Sequence, residues 1–229
     1  MTETLRNNDP VRVGTQAQEV AGLLIGDIIS GRLSQGCRIS EPELSRKYGV
    51  GRGPLREALL KLEGTGLVVR APHVGATVVT LNQSDLSEIF AIREALEGMA
   101  ARLAAIHMSD QQLLDLESLL KTHASHIHEQ NGQSYIDQEG DLDFHYRVIN
   151  GSCNQRLIRS LCDELYYLIQ MYRKTSGRPA RPEEALTEHQ MIFRALKERD
   201  GELAEILMRR HIARARKEIE QCIDSGHQH

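Results

Sequence analysis

Residues 51–62 read GRGPLREALLKL, directly after ISEPELSRKYGV at 39–50. Leu55, Leu59 and Leu62 recur at i, i+4 and i+7, Pro54 sits in the first turn, and Gly64 and Gly66 follow the last leucine, so the spacing predicts a helix. Just before it, Ser40 and Glu43 have the spacing of a capping box, Pro42 again falls in a first turn, and Gly49 stands where a helix of about two turns would close. Two short helices separated only by Val50 and Gly51 read as a helix-turn-helix. Upstream, Val20, Leu23, Leu24 and Ile28 mark another helix over 16–30, ended by Gly31. Downstream, the β-branched runs LVVR and ATVV flank APHVG, which predicts a hairpin. The combination is a winged helix.

After Val79 the pattern is helical almost to the end, with breaks near Ser109, Gly132, Gly151 to Asn154, Gly177 to Pro182, and Gly201. About six helices without strand-like alternation are predicted. The expected organisation is a mobile arm at 1–14, a winged helix-turn-helix at 15–81, and an all-helical domain at 82–229. The fold class is therefore mostly α, with one small hairpin.

The chain has 229 residues, 40% hydrophobic and 26% charged, which suits globular domains with real cores. Its four cysteines show neither zinc-ribbon spacing nor the density of a secreted disulfide scaffold, which fits a reducing cytoplasm. No signal-like start and no apolar run of about 18 residues is present, so no membrane partner is expected. The net charge of −4 hides an asymmetry: residues 44–80 carry 6 basic against 2 acidic side chains. The basic excess surrounds the GRGPLREALLKL helix.

If that helix buries its leucines, Arg52 and Arg56, one turn apart, can face a partner together. The start of a recognition helix is the part that enters the major groove, and a guanidinium can grip a guanine edge or a phosphate with two bonds. Gly51 and Gly53 carry no side chains, so only their backbone amides can approach a phosphate. Lys47, Arg70, His73 and Gly75 would flank the duplex, the last two at the wing tip. The bland alternative pairs Arg56 with a surface carboxylate and leaves the glycines as caps.

In the helical part, Asp141 and His145 are four apart and share a helix face. His189 and His211 lie in two later amphipathic helices. Three imidazoles and a carboxylate can hold a divalent metal such as zinc, nickel or manganese, and a salt-bridged or buried pair is the alternative. Arg93 lies near an apolar face, either paired with Glu97 at i+4 or free to clamp a carboxylate. Asn154 suits a ligand contact or a helix cap. Tyr166, Tyr167 and Tyr172 read as core or cavity wall, and His123, His126 and His128 as solvated.

The run from ISEPEL to GATVV resembles the DNA-binding domain of the GntR family of bacterial transcription regulators. Residues 84–222 resemble the all-helical FCD domain of its FadR-type branch. The resemblance implies a dimeric regulator on a palindromic operator, not an enzyme, with repression relieved by ligand as the common mode. It implies that Asp141, His145, His189 and His211 hold a metal, and that Arg93 and Asn154 face a small organic acid effector. It leans towards regulators of propionate and methylcitrate metabolism, with lactate, gluconate, a sugar acid or citrate also compatible. One departure stands out: family members usually carry Ser and Thr on either side of the Arg that is Arg52, where this chain has glycines. A direct metal sensor and a metal-dependent hydrolase are the competing readings, the second weakened by the lack of an H-E-x-x-H motif.

Overall fold

The computed structural model describes residues 15–71, 75–129, 140–175 and 182–226; for 129, 140, 141, 173–175 and 218–226 it describes the backbone alone. The arm at 1–14 and His73 lie outside the described residues. The chain divides into two compact units, one ending at Val79 and the other starting at Thr80.

In the first unit, α1 (Gln16–Ile29) opens on a true capping box. Thr15 accepts from the Gln18 amide at 3.3 Å, and Gln18 Oε1 accepts from the Thr15 amide at 2.7 Å. Ala17, Val20, Ala21, Leu24 and Ile28 face inward. Leu23, expected on that face, is exposed, because the buried stripe follows the 17-20-21-24-28 spacing and leaves position 23 off to one side. The helix α2 (Glu41–Tyr48) starts at Ser40 without a side-chain cap bond, so the expected Ser40–Glu43 box does not form. Of the two amides that an N-cap side chain reaches, one is missing because Pro42 fills the second helical position.

Gly49 ends α2 at φ 64°, the left-handed conformation that glycine adopts without cost. Ser45 Oγ donates to the Val50 carbonyl and ties the turn to the helix before it. The helix α3 (Arg52–Gly64) then buries Leu55, Ala58, Leu59 and Leu62 against the α1 stripe. The wing is an antiparallel hairpin of β1 (Val68–Ala71) and β2 (Gly75–Val78), with Val68 opposite Val78 and Ala71 opposite Gly75. A bridge from Arg38 to Thr77 adds a short third edge. These elements make the predicted winged helix-turn-helix.

The second unit is all helical among its described residues: α4 (Gln83–His107), α5 (Asp110–Glu129), α6 (Gly140–Gly151), α7 (Gln155–Arg159), a π-helical stretch (Ser160–Leu165), α8 (Tyr166–Thr175), α9 (Pro182–Lys197) and α10 (Gly201–Gly226). Because α7, the π stretch and α8 follow one another directly in sequence, the rods among the described residues number six, where about six were expected. A reciprocal Asn82–Asp85 box starts α4. At its other end, Arg199 Nη1 donates to the Ala105 and Met108 carbonyls, which the helix itself leaves unsatisfied.

α10 packs closely along α4 because Gly98, Ala101 and Ala105 present almost no side chain. A Cβ built on Gly98 would stand 2.6 Å from Arg209 Cγ. The main core joins Phe90, Leu116, Phe144, Val148, Ile192, Met208 and Ile212 from five helices. His123 is buried, contrary to its reading as solvated. It continues the inward stripe Leu113, Leu116, Leu120, His123, Ile127, whose helical spacing outweighs the polarity of its immediate neighbours.

Candidate metal centre and nucleic-acid interface

Three histidines meet inside the helical unit. His145 comes from α6, His189 from α9 and His211 from α10, and all three are buried. Their Nε2 atoms converge: His211 Nε2 lies 3.1 Å from His145 Nε2 and 3.3 Å from His189 Nε2. His189 is set by its ring, which stacks on Phe144 with centroids 4.0 Å apart. Asp141 lies one turn before His145 on α6, but its side chain is outside the described residues.

His145 Nδ1 is 2.5 Å from Glu97 Oε2, and His211 Nδ1 is 2.6 Å from Glu188 Oε2. An ionised carboxylate can only accept, so these two rings carry hydrogen on Nδ1 and turn Nε2 lone pairs inward. Lone pairs so close repel unless a proton or a cation lies between them. With a metal about 2.1 Å from each nitrogen, tetrahedral neighbours stand about 3.4 Å apart and right-angle neighbours about 3.0 Å. The observed separations fall in that interval, so the donor set fits a divalent ion.

Glu97 is a hub that sequence reasoning did not assign to the centre. Its buried carboxylate accepts from Arg93 Nε, from His145 Nδ1, and from Tyr166 Oη at 3.0 Å. Burial pushes this carboxyl up, but the Arg93 charge and the hydrogen bonds from His145 and Arg93 prevail and hold it at about 2. The same surroundings, burial first and the Glu97 charge second, drive the Tyr166 phenol well above its ordinary range. Arg93 therefore adopts the i+4 pairing with Glu97 through Nε, rather than pointing that nitrogen at a ligand. The signal was present in sequence, since 86, 90, 93, 97, 101 and 104 lie on one buried face of α4. Glu188, which also accepts from Arg214 Nη1 at 2.5 Å, had no comparable local signal.

Asn154 is not brought to the histidines. It is exposed and caps α7, its Oδ1 accepting from the Leu157 amide at 3.2 Å, which is the cap alternative. Cys153, just before it, turns the chain at φ 54°. Tyr166 and Tyr172 are core residues as expected, Tyr166 with the added role at Glu97.

In the first unit, Arg52 and Gly53 begin α3 on its exposed side. Gly53 has an ordinary φ, and a Cβ there would meet nothing within 4 Å. Neither backbone strain nor packing requires glycine at that position. Arg56 is exposed and donates from Nε to Glu41 at 2.8 Å, the surface pair foreseen as its bland reading. Arg70 lies 3.3 Å from Glu63. Gly75 opens β2 at φ 91°, and the Arg38 guanidinium comes within 3.9 Å of where its Cβ would be. Arg38 thus puts an exposed cation beside the wing, which its place in a loop did not announce.

Lys47 has a structural partner. With Arg32 at 2.6 Å and Tyr48 at 2.6 Å, it donates to the buried Asp27 carboxylate. Burial raises the Asp27 carboxyl, but the three donors outweigh burial and lower it from 3.8 to about 2. The network ties α2 to the end of α1.

Residues 16–78 match the bacterial regulatory proteins of the gntR family, and residues 88–214 match the FCD domain. The probable D-xylose utilization operon transcriptional repressor of Paenarthrobacter nicotinovorans is 31% identical over 204 residues, covering 87% of this chain and 86% of that protein. The transcriptional repressor RspR of Escherichia coli K12 is 28% identical over 205 residues, covering 89% of each. Among solved structures, E. coli McbR/YncC superposes with a TM-score of 0.72 at 23% identity, over 89% of this chain and 96% of that one, a likeness of fold. With a winged helix whose recognition helix begins Gly-Arg-Gly-Pro and a following FCD domain matched across most of its length, this chain belongs to the gntR family of bacterial regulatory proteins, as a transcription regulator.

Proposed function

We propose that this protein is a cytoplasmic repressor that binds a palindromic operator as a homodimer and is controlled by a metal-bound organic acid. The observation that carries the metal is the convergence of three buried imidazole Nε2 atoms from three helices. His145, His189 and His211 would hold the ion, with Asp141 one turn before His145 as the fourth ligand. A divalent ion supplies Lewis acidity, and coordination positions beyond these four ligands would receive a small carboxylate. Arg93 pairs with Glu97 through Nε, and its guanidinium would share the acid's charge with the metal. The acid can change operator binding only by favouring one arrangement of the protein over another.

Arg52 and Arg56 are proposed to reach the DNA. Arg56 exchanges an exposed carboxylate partner for a base edge or phosphate, and an exposed pair of this kind is worth little to folding. The bare Gly53 leaves room for its amide to approach a phosphate closely. Arg70, Gly75 and His73 would follow on the wing, while Lys47 is held by Asp27. Dimerisation is supported by an apolar seam on α4: Ile92, Leu96, Met99, Leu103 and Ile106 alternate four and three apart, and Ile92, Met99 and Ile106 remain exposed.

The test uses chelator-stripped protein reloaded with zinc, nickel or manganese. Metal content is measured, then binding of propionate, methylcitrate, citrate, lactate, gluconate and D-xylose by calorimetry, then operator affinity with and without each. D-xylose enters because of the relative named for its utilization operon. Metal uptake at one ion per chain, acid binding that requires it, and weakened operator binding on acid addition are expected. Failure to take up metal refutes the centre; an operator affinity switched by metal alone at low free concentration makes the ion itself the signal.

A further inference from the structure

Two of the three imidazoles have a carboxylate directly behind them. Glu97 Oε2 and Glu188 Oε2 face Nδ1 of His145 and His211, the ring nitrogens turned away from the Nε2 cluster. Each carboxylate's other oxygen takes an arginine: Arg93 Nε on Glu97 Oε1, and Arg214 Nη1 on Glu188 Oε1. The centre is thus backed by two arginine–carboxylate–imidazole chains of the same chemistry, reached from different helices.

Each carboxylate decides which nitrogen carries the hydrogen and which carries the inward lone pair, fixes the plane of the ring, and adds negative charge that makes the distal nitrogen a stronger donor. The arginines hold the carboxylates in place, each oxygen facing Nδ1 with its partner oxygen engaged by a guanidinium. We infer that Glu188 and Glu97 are positioning residues for a divalent transition metal, assigning Nε2 of His211 and His145 as ligand atoms and setting the affinity of the site. The inference rests on the reading of the three histidines as a metal centre.

The two chains differ in what their loss would do. Arg93 is wholly buried with Glu97, so neutralising Glu97 takes a carboxylate from a guanidinium that cannot turn to water. Arg214 is 62% exposed and can turn to water when Glu188 is changed. Glu188 is therefore the clean probe.

Full-length protein stripped of metal is titrated with Co2+, whose visible ligand-field bands report coordination, with a chelator competing for affinity. Glu188→Gln keeps an acceptor but loses the charge, and Glu188→Ala loses both. We expect Co2+ to bind about 10- to 100-fold more weakly to both, Ala at least as weakly as Gln, with altered bands and a near-native unfolding midpoint for the metal-free protein. Glu188→Asp withdraws the carboxylate from Nδ1 while keeping its charge, and is expected to bind more weakly than the native chain; it serves if either other variant fails to fold. Native affinity and bands in the folded variants overturn the inference, as does a loss of metal-free stability with affinity unchanged. If the native protein takes up no Co2+, the metal centre itself is refuted and this inference with it.

Discussion

Replacing Asp27 by Asn removes a buried charge that joins α1 to α2. The native carboxylate, 7% exposed, accepts from Arg32, Lys47 and Tyr48. Its pKa falls from 3.8 to about 2, which at about 1.4 kcal/mol per unit favours the ionised form by about 2.5 kcal/mol. Arg32 and Lys47 are 62% and 47% exposed, so both can return to water in the variant, and the expected loss is smaller, about 1 to 2.5 kcal/mol. The carboxyl is depressed in the folded state, so its contribution is complete above pH 4 and is lost as the pH falls from about 4 towards 2. Hydrogen exchange of peptides spanning 16–64, in the full chain at pH 7 and in a stepwise series down to pH 3, isolates this unit. The expected result is faster exchange in Asp27→Asn at pH 7 and a gap from the native chain that narrows below pH 4. Equal protection at pH 7, or a gap that widens on acidification, refutes the account of the network.

Lys47→Met is expected to lower protection of the same peptides while leaving the slope of log operator affinity against log salt unchanged; a slope shallower by about 0.9 would make Lys47 a phosphate contact instead. Arg56→Ala should cost operator binding about 1 to 3 kcal/mol with relaxed preference at one base pair, measured on an operator library, whereas an unchanged affinity returns Arg56 to its Glu41 pair. Gly98→Ala places a methyl against the Arg209 stem and is expected to destabilise the helical unit by about 1 to 3 kcal/mol in urea unfolding. Met99→Glu puts a charge into the α4 seam and should shift sedimentation towards monomer without lowering metal uptake; an unchanged oligomer places the interface elsewhere.

What the sequence determined by itself was everything governed by local periodicity and turn chemistry. The leucines of GRGPLREALLKL fall on one face because a helix repeats every 3.6 residues, and Gly49 ends α2 because the turn needs a positive φ. The six rods and the hairpin were legible for the same reason. Family resemblance, rather than spacing, selected His145, His189 and His211 from ten histidines. Tertiary structure decided which side chains meet across those elements. Glu188 reaches His211 from 23 positions away and Glu97 reaches His145 from 48. No local pattern encodes such pairs, because they depend on how α4, α6, α9 and α10 cross. The same holds for Lys47, which looked like one more cation beside a recognition helix until the packing of α2 against α1 delivered it to Asp27. His123 shows the converse, since its neighbours suggested solvent and its place on the stripe decided for the core.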